Sequence, residues 1–542
     1  HIIGGKIMKK TAIILAAGKS NRFAPFTYEK PKGLFVVKGE RLIERQIEQL
    51  RTAGISDIYV VVGFMKERYF YLEDKYGVHL ITNNKYESKG NLYSLYVARK
   101  YLANTFICCA DHYFVHNPFV MDYKESYRAC VWKNGDFNEF AIKKSNSDVI
   151  TEFSVGGRDS WAMVGHAYFS ESFSRVFCEL MENEINDFRV ANMFWEEFYG
   201  KHIRELTMYA VAFEEKDIVE FESIEDLRRF DSEFLNNIDS SIVENICKCL
   251  GGKANDIGEI EVIEKGLTNV SFKFMMHNRL YVYRHPGSTS DSLVDRKTEC
   301  YAQNKAKEIG IDESVIYIDK SGWKISDYVD NNVQLDLKKS GRLRDKAIEY
   351  IRRLHDANVS GDIKYFDTFL EAEKLMRIAT HSKGNLFAEF AELRRQVVEI
   401  NNYVNNDGIG KKVLCHNDTY EPNYLITNGD EMYLIDWEYA GINDEAADIA
   451  CICCRDDYSE NEIREIVRIY LGREPDFREF CHYLGYVVVT GYYWFCWGLY
   501  KGAVNDDDGF FFLTAYRNCK KYIPVMLEYM EQLIRGDDLN ND

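Results

Sequence analysis

Residues 11–18, TAIILAAG, form a short apolar run that ends in small residues, the pattern of a buried parallel strand followed by a tight turn. In the following GERLIERQIEQLRTAG, Leu42, Ile43, Ile47 and Leu50 share one helical face, and Gly54 stands where a C-terminal cap belongs. SDIYVVVG then supplies a second strand. Strand, helix and strand make a right-handed crossover unit, so the first half is expected to be α/β with a mostly parallel sheet. The turn after the first strand reads Ala17-Gly18-Lys19-Ser20-Asn21-Arg22-Phe23 and is not the GxGxxG of dinucleotide binders. Its small residues let backbone amides approach a phosphate chain, and Arg22 and Lys32 can neutralise one. A plain glycine turn with solvated charges fits these residues too.

The chain has 542 residues, enough for three or four domains or two large ones at roughly 150 residues each. A net charge of −18, from 68 Lys and Arg against 86 Asp and Glu, speaks against a protein that tracks a nucleic-acid backbone or adheres to an anionic membrane. With 46% apolar residues and only 7 prolines, disorder as the main state is excluded. The fourteen cysteines sit in apolar runs, so buried thiols are expected, and the lone Cys451–Cys454 CxxC lacks partners for zinc. Residues 1–7 precede the first methionine, carry no signal-peptide core and are set aside as a remnant. The uncharged stretch Tyr483–Tyr500 is nearly long enough for a membrane span. Its tyrosines and glycines suit a buried helix lining an aromatic pocket better, so a cytoplasmic protein is expected.

LAAG-x-x-x-R-F-x-P-F-T followed by KPK resembles the signature of sugar-phosphate-type nucleotidyltransferases, which are Rossmann-like. NNKYESKGNLYSLYVARKYL and FICCADHYFVHNPF resemble the CTP:phosphocholine cytidylyltransferase branch, over about residues 8–235. By that resemblance Ala16, Ala17 and Gly18 hold the nucleotide through backbone contacts, with Arg22 and Lys32 on the triphosphate. Asp111, at the end of the apolar strand TFICCAD, binds Mg²⁺. The family's second metal-binding acid is usually an Asp, and here Glu222 takes its place, a departure that bears on the metal geometry. Trp161, Tyr168 and Trp195 are candidates for a phosphocholine cage, with core packing the alternative for each.

The pattern changes after FESIEDLRRFDSEFLNNIDS, and SIVENICKCLGG opens a new unit, which puts the domains at 8–237 and 238–542. In VLCHNDTYEPNYLITNGDEMYLIDWEYAG, His416, Asp418 and Asn423 reproduce the H-x-D-x-x-x-x-N spacing of a kinase catalytic loop, and the strand MYLI delivers Asp436. In the phosphoryl-transfer template Asp418 accepts or orients the proton of an attacking hydroxyl, while Asn423 and Asp436 hold Mg²⁺ against the phosphates of ATP. IDWE replaces DFG, and no GxGxxG or VAIK lies upstream, so this is no ordinary protein kinase. IEKGLTNVSFKF and RLYVYRHPG suggest two paired strands over ATP, with Gly266, Leu267, Thr268 and Asn269 as the phosphate loop.

This half resembles the choline kinase and aminoglycoside phosphotransferase group over about residues 241–530, which implies a bilobal, protein-kinase-like α+β domain. The resemblance makes Arg284 the ATP-binding base and Glu299 its ion-pair partner. A quaternary ammonium cannot donate a hydrogen bond, so its site needs aromatic faces and a carboxylate, with each cation–π contact worth about 2 kcal/mol when desolvated. Trp494 and Trp497 lie three apart on a helix and share a face, a spacing that resembles the choline-binding helix of choline kinases. Tyr439 and Tyr458 complete the cage, with Glu438 close by; an aromatic core stripe is the competing reading.

The two halves together imply choline and ATP giving phosphocholine, then phosphocholine and CTP giving CDP-choline and pyrophosphate. A downstream phosphocholine transferase is a plausible partner, and no nucleic acid or membrane insertion is expected. Ethanolamine or another small amino alcohol, an aminoglycoside, or one half serving as a non-catalytic nucleotide-binding module are the alternatives.

Overall fold

The computed structural model describes residues 9–120, 123–263, 269–287, 294–339, 341–383, 389–503 and 511–539. The chain divides into two compact units, residues 1–256 and 257–542. The boundary therefore falls later than the expected 238. Helix Ser241–Leu250 stays with the first unit because Glu29 accepts hydrogen bonds from Ser240, Ser241 and the Ile242 backbone N–H, the last at 3.2 Å.

In the first unit the predicted crossover forms as read. Strand β1 (Thr11–Ala16) leads through helix α1 (Leu42–Thr52) to β2 (Asp57–Val62), paired parallel to β1. Then come β3 (His79–Thr82), helix α2 (Asn91–Ala98), β4 (Thr105–Cys109), the long hairpin of β5 (Tyr127–Lys144) and β6 (Ile150–Phe169), and β7 (Tyr209–Ala212). These seven strands form one sheet in the order β7-β5-β6-β4-β1-β2-β3. Pairing is parallel except where β6 runs antiparallel to β4 and β5. Both faces of β1 are covered: Ala12 and Ile14 belong to one apolar cluster, Ile13 and Leu15 to the other. A doubly covered parallel strand must be apolar throughout, which is why TAIILA shows no polar alternation.

In the second unit a five-stranded antiparallel sheet holds β8 (Gly258–Val262), β9 (Asn269–Met276), β10 (Arg279–Pro286), β11 (Val315–Ile318) and β12 (Lys324–Asp327), in the order β8-β9-β10-β12-β11. Helix α3 (Arg296–Glu308) lies between β10 and β11 in sequence. A helical lobe follows, built around α4 (Ala446–Cys454) and the central α5 (Phe477–Ala503). The uncharged aromatic stretch is the buried heart of α5, and no helix among the described residues is long and apolar enough to cross a membrane. Gly491 lets helix Phe511–Leu539 approach, since a Cβ there would sit 2.9 Å from the Ala515 carbonyl oxygen. Among the described residues no cysteine forms a disulfide, and Cys451, Cys453 and Cys454 are buried on α4.

Candidate active sites

In the first unit the end of β1, the turn after it and the end of β4 surround a cavity of about 340 Å³, lined among others by Ala16, Ala17, Gly18, Lys32, Ala110 and Asp111. This is the crevice beyond the carboxyl ends of parallel strands, where open α/β sheets bind ligands. Gly33 lets the turn that carries Lys32 press on the end of β4; a Cβ there would lie 2.9 Å from that of Ala110. Lys32 Nζ consequently lies 3.0 Å from Asp111 Oδ2 and donates to the Phe221 carbonyl at 2.8 Å, 4.1 Å from the Phe23 ring centre. Burial opposes the charge on Asp111, but Lys32 and His112 outweigh it and hold the carboxyl below its ordinary pKa.

Arg22 and Glu222 form an exposed ion pair and do not themselves line the cavity. Lys32 bridges Asp111 to the residue preceding Glu222. Glu220, which the sequence reading passed over, lies further in: it meets His112 Nε2 at 3.1 Å and accepts the Gly165 N–H at 2.7 Å. Burial disfavours its charge, yet His112 brings its carboxyl down to about 2. Nothing in the spacing marks this pair, which forms only where the segment after β7 crosses β6.

The three aromatic candidates do not come together. Trp161 stands on β6 with Trp132 edge-on at 5.6 Å and the Lys144 ammonium at 4.6 Å. Tyr168 is fully buried against Phe106, and its hydroxyl donates to Asn104. Trp195 packs on Phe169 and the Arg128 guanidinium, where Arg128 makes a buried pair with Glu196 at 3.2 Å. None of the three lines the cavity; Tyr69, Tyr86 and Phe194 do. Trp161 and Tyr168 are held in the packing of β6, and Trp195 opens the separate helix Trp195–Lys201, so these positions are corrected to scaffold.

In the second unit His416-Asn417-Asp418 leaves the strand Lys412–Cys415. Asp448 on α4 pins this turn, accepting the backbone N–H groups of His416 at 2.9 Å and Asn417 at 2.6 Å. His416 Nε2 lies 2.9 Å from the Ile435 carbonyl and its ring meets Trp437 edge-on, while the Asn417 side chain donates to the Tyr439 carbonyl. Both Asn417 (φ 65°) and Asp436 (φ 67°) are left-handed, a strained backbone that such a network can sustain. Asn423 Nδ2 donates to Asp418 Oδ2 at 2.9 Å and to its carbonyl at 2.8 Å, leaving the amide oxygen to face elsewhere. Burial raises the Asp418 carboxyl above its ordinary pKa, with Arg455 opposing. Carboxylate and amide oxygens from Asp436 and Asn423, like Asp111 in the first unit, are the hard donors that Mg²⁺ takes.

The predicted Arg284–Glu299 pair is present at 2.5 Å, almost fully buried, with Arg296 on the same carboxylate at 2.8 Å and Asp436 3.8 Å from Arg284. They stand beside a cavity of about 380 Å³ whose walls include Val282, Tyr328, Leu425 and Ile435, with Arg284 and Asp436 at its polar end. Apolar walls and a charged end suit a nucleoside triphosphate. Gly266, Leu267 and Thr268 lie outside the described residues, as does the side chain of Asn269, whose backbone opens β9.

Trp494, Trp497 and Tyr439 do meet. Trp497 Nε1 donates to the Tyr439 hydroxyl at 3.2 Å, and Trp494 lies edge-on to Tyr439 at 5.8 Å and 5.9 Å from Trp497. Glu438 is buried beside them and, after burial itself, is the chief cause of the high pKa of the Tyr439 hydroxyl. Tyr458 stands apart: its carbonyl accepts from Tyr522 and Lys521, and its ring faces Lys338. It sits beyond the end of α4 and is corrected to a packing residue. Arg455, Tyr420 and Asp448 are the residues the sequence reading missed. Arg455 closes an apolar helix, where a cation is ordinarily a solvated cap.

Two cavities of different architecture, one at a parallel sheet and one at an antiparallel sheet, accompany the folds of a nucleotidyltransferase and a phosphotransferase. The MobA-like NTP transferase domain matches residues 12–152, and the phosphotransferase enzyme family matches residues 316–481. The choline-phosphate cytidylyltransferase of Streptococcus pneumoniae is 32% identical over 42% of this chain and 98% of its own length. The 2-aminoethylphosphonate cytidylyltransferase of Lancefieldella rimae is 35% identical over 42% of this chain and 94% of its own. The structure of the choline kinase LicA from Streptococcus pneumoniae aligns at 21% identity over 52% of this chain and 98% of that one, with a TM-score of 0.44. Through its first unit the chain belongs to the cytidylyltransferase family, and both units are of enzyme families.

Proposed function

We propose that the chain converts one small alcohol into its CDP-linked form by two consecutive transfers. In the second unit the acceptor hydroxyl oxygen attacks the γ-phosphorus of ATP. The bond to the bridging oxygen breaks, ADP leaves, and the hydroxyl proton passes to Asp418. In the first unit an oxygen of the resulting phosphomonoester attacks the α-phosphorus of CTP, and pyrophosphate leaves. Asp418 is suited to its part because burial raises its proton affinity. Lys32 and Arg22 are the cations for the triphosphate of CTP, and Arg284, fixed by Glu299, for that of ATP. Asp111, with Glu222 beyond it, would hold Mg²⁺ in the first unit, and Asn423 and Asp436 in the second. The metal, when bound, neutralises phosphate charge.

The acceptor is a small amino alcohol, with choline as the simplest candidate. The observation that carries this reading is the aromatic cluster of Trp494, Trp497 and Tyr439, with Glu438 beside it, next to the Asp418 turn. Purified protein incubated with Mg²⁺, ATP, CTP and choline or ethanolamine tests it by product mass. ADP and a phosphorylated acceptor are expected with ATP alone. The CDP conjugate and pyrophosphate are expected only when CTP is added. A CDP conjugate formed without ATP from the unphosphorylated alcohol would overturn the order of steps.

A further inference from the structure

We infer that the acceptor of the second unit carries an anionic group in addition to its ammonium, and that Arg455 is the residue that binds that anion. This rests on the reading of the second unit as an amino-alcohol kinase and puts a zwitterionic amino alcohol in place of choline, the simplest candidate.

Arg455 follows α4 directly, next to Cys454, the last of the cysteines that anchor that helix in the core. Its guanidinium carbon lies 3.6 Å from the ring centre of Trp494 and 4.3 Å from that of Tyr420, and Nη2 is 2.7 Å from Asp418 Oδ1. The side chain is only 7% exposed. A fixed positive charge therefore sits on one of the two tryptophans offered to the head group and touches the carboxylate that receives the acceptor's proton. Lys501 places a second ammonium 5.2 Å from the ring centre of Trp497.

In a small alcohol the head group is only two or three bonds from the hydroxyl, so a hydroxyl at Asp418 brings the head group within a few ångströms of Arg455. Asp418 balances the charge of Arg455, so a head group that is only cationic gains nothing from the guanidinium. A carboxylate on the same skeleton meets a planar fork of N–H donors whose geometry suits it. Glu371 and Glu438 act on the Tyr493 hydroxyl, as do Asp418 and Arg455, and Tyr493 packs edge-on against Trp494. Acidic and basic groups thus meet around one aromatic cluster, which suits a head group that carries both charges.

The test uses acceptor pairs that differ only by a carboxylate: L-serine against ethanolamine, and N,N,N-trimethylserine against choline, with ADP release as readout on the full chain. In each turned-over pair the acid is expected to have the higher kcat/KM by about tenfold or more. Arg455→Gln should erase that ratio and Arg455→Lys should keep part of it, while the KM for ATP stays within about twofold as a check on folding. Preference for the carboxylate-free partner, or a ratio that Arg455→Gln leaves unmoved, overturns the inference and leaves the kinase reading standing. The same holds if Arg455→Gln merely strengthens choline, for the arginine is then a displaceable occupant of the cage. ADP release with none of the acceptors overturns the kinase reading itself, and the inference with it.

Discussion

Nη2 of Arg455 lies 2.7 Å from Oδ1 of Asp418, so the residue expected to receive the acceptor's proton is already ion-paired within the site. The other Asp418 carboxylate oxygen accepts from Asn423. Asp418 is thus fixed from two sides before any substrate arrives, an orientation that lowers the cost of reaching the reactive geometry.

The two chemistries should separate by mutation. Asp418→Ala is expected to lower acceptor phosphorylation by about 10²–10⁴-fold while leaving cytidylyl transfer to a supplied phosphomonoester within about twofold. Asp111→Ala should do the reverse. Each activity is measured alone, with ATP and acceptor or with CTP and phosphorylated acceptor. Loss of both activities in a folded single variant would show that the assignment of one chemistry to each unit is wrong.

Glu299→Ala removes the 2.5 Å carboxylate partner of the almost fully buried Arg284, leaving it the Gly322 carbonyl at 2.8 Å and Asp436 at 3.8 Å. Removing one member of a buried pair costs about 3–5 kcal/mol, so thermal unfolding should begin earlier. The KM for ATP should rise with it, because the base at the polar end of the cavity loses its orientation. An unchanged KM for ATP would remove Arg284 from the nucleotide site.

Trp497→Ala removes the donor to the Tyr439 hydroxyl and one wall of the aromatic cluster. The acceptor KM should rise by at least about tenfold, more than the KM for ATP, which the apolar walls around Val282 and Ile435 set independently. Equal effects on both constants would mark the residue as core packing alone.

His482 on α5 lies between Asp407 at 2.8 Å and Asp444 at 3.0 Å. Burial alone lowers its pKa, but the two carboxylates outweigh burial and raise it to about 9. The folded value is thus above the unfolded value of about 6.5. The stabilisation is fully present below about pH 6.5 and is lost as the pH rises through about 9, up to about 3 kcal/mol in all. Melting temperatures from pH 6 to about pH 10 should fall more steeply for the native chain than for His482→Gln. Parallel curves would show that the imidazole is uncharged in the fold.

Much of both sites could be read from the chain because the chemistry is encoded in short spacings. β1 and its turn, Asp111 at the end of an apolar strand, and the loop carrying Asp418, Asn423 and Asp436 all follow within a few residues of a recognisable strand. Trp494 and Trp497 met Tyr439 as expected, since a shared helical face is a local property. The misreadings were of another kind. Trp161 and Tyr168 lie on a long hairpin whose bulges decide which way such rings point, and Trp195 opens a helix that packs on Phe169; all three ended in packing. Tyr458 lies three residues past Arg455, yet its ring faces Lys338. Glu222 was chosen by its place in the family's acid motif, while the contact of Glu220 with His112 forms only in three dimensions.

The sequence by itself determined the order of elements and the two enzyme families, because strand ends, helical spacing and short motifs are local constraints. Only the tertiary structure decided the charge of the acceptor pocket. Arg455, Asp418 and Trp494 come from three separate segments, and the pairing of a cation with a distant carboxylate and ring depends on how helices stack, for which no spacing along the chain is a guide.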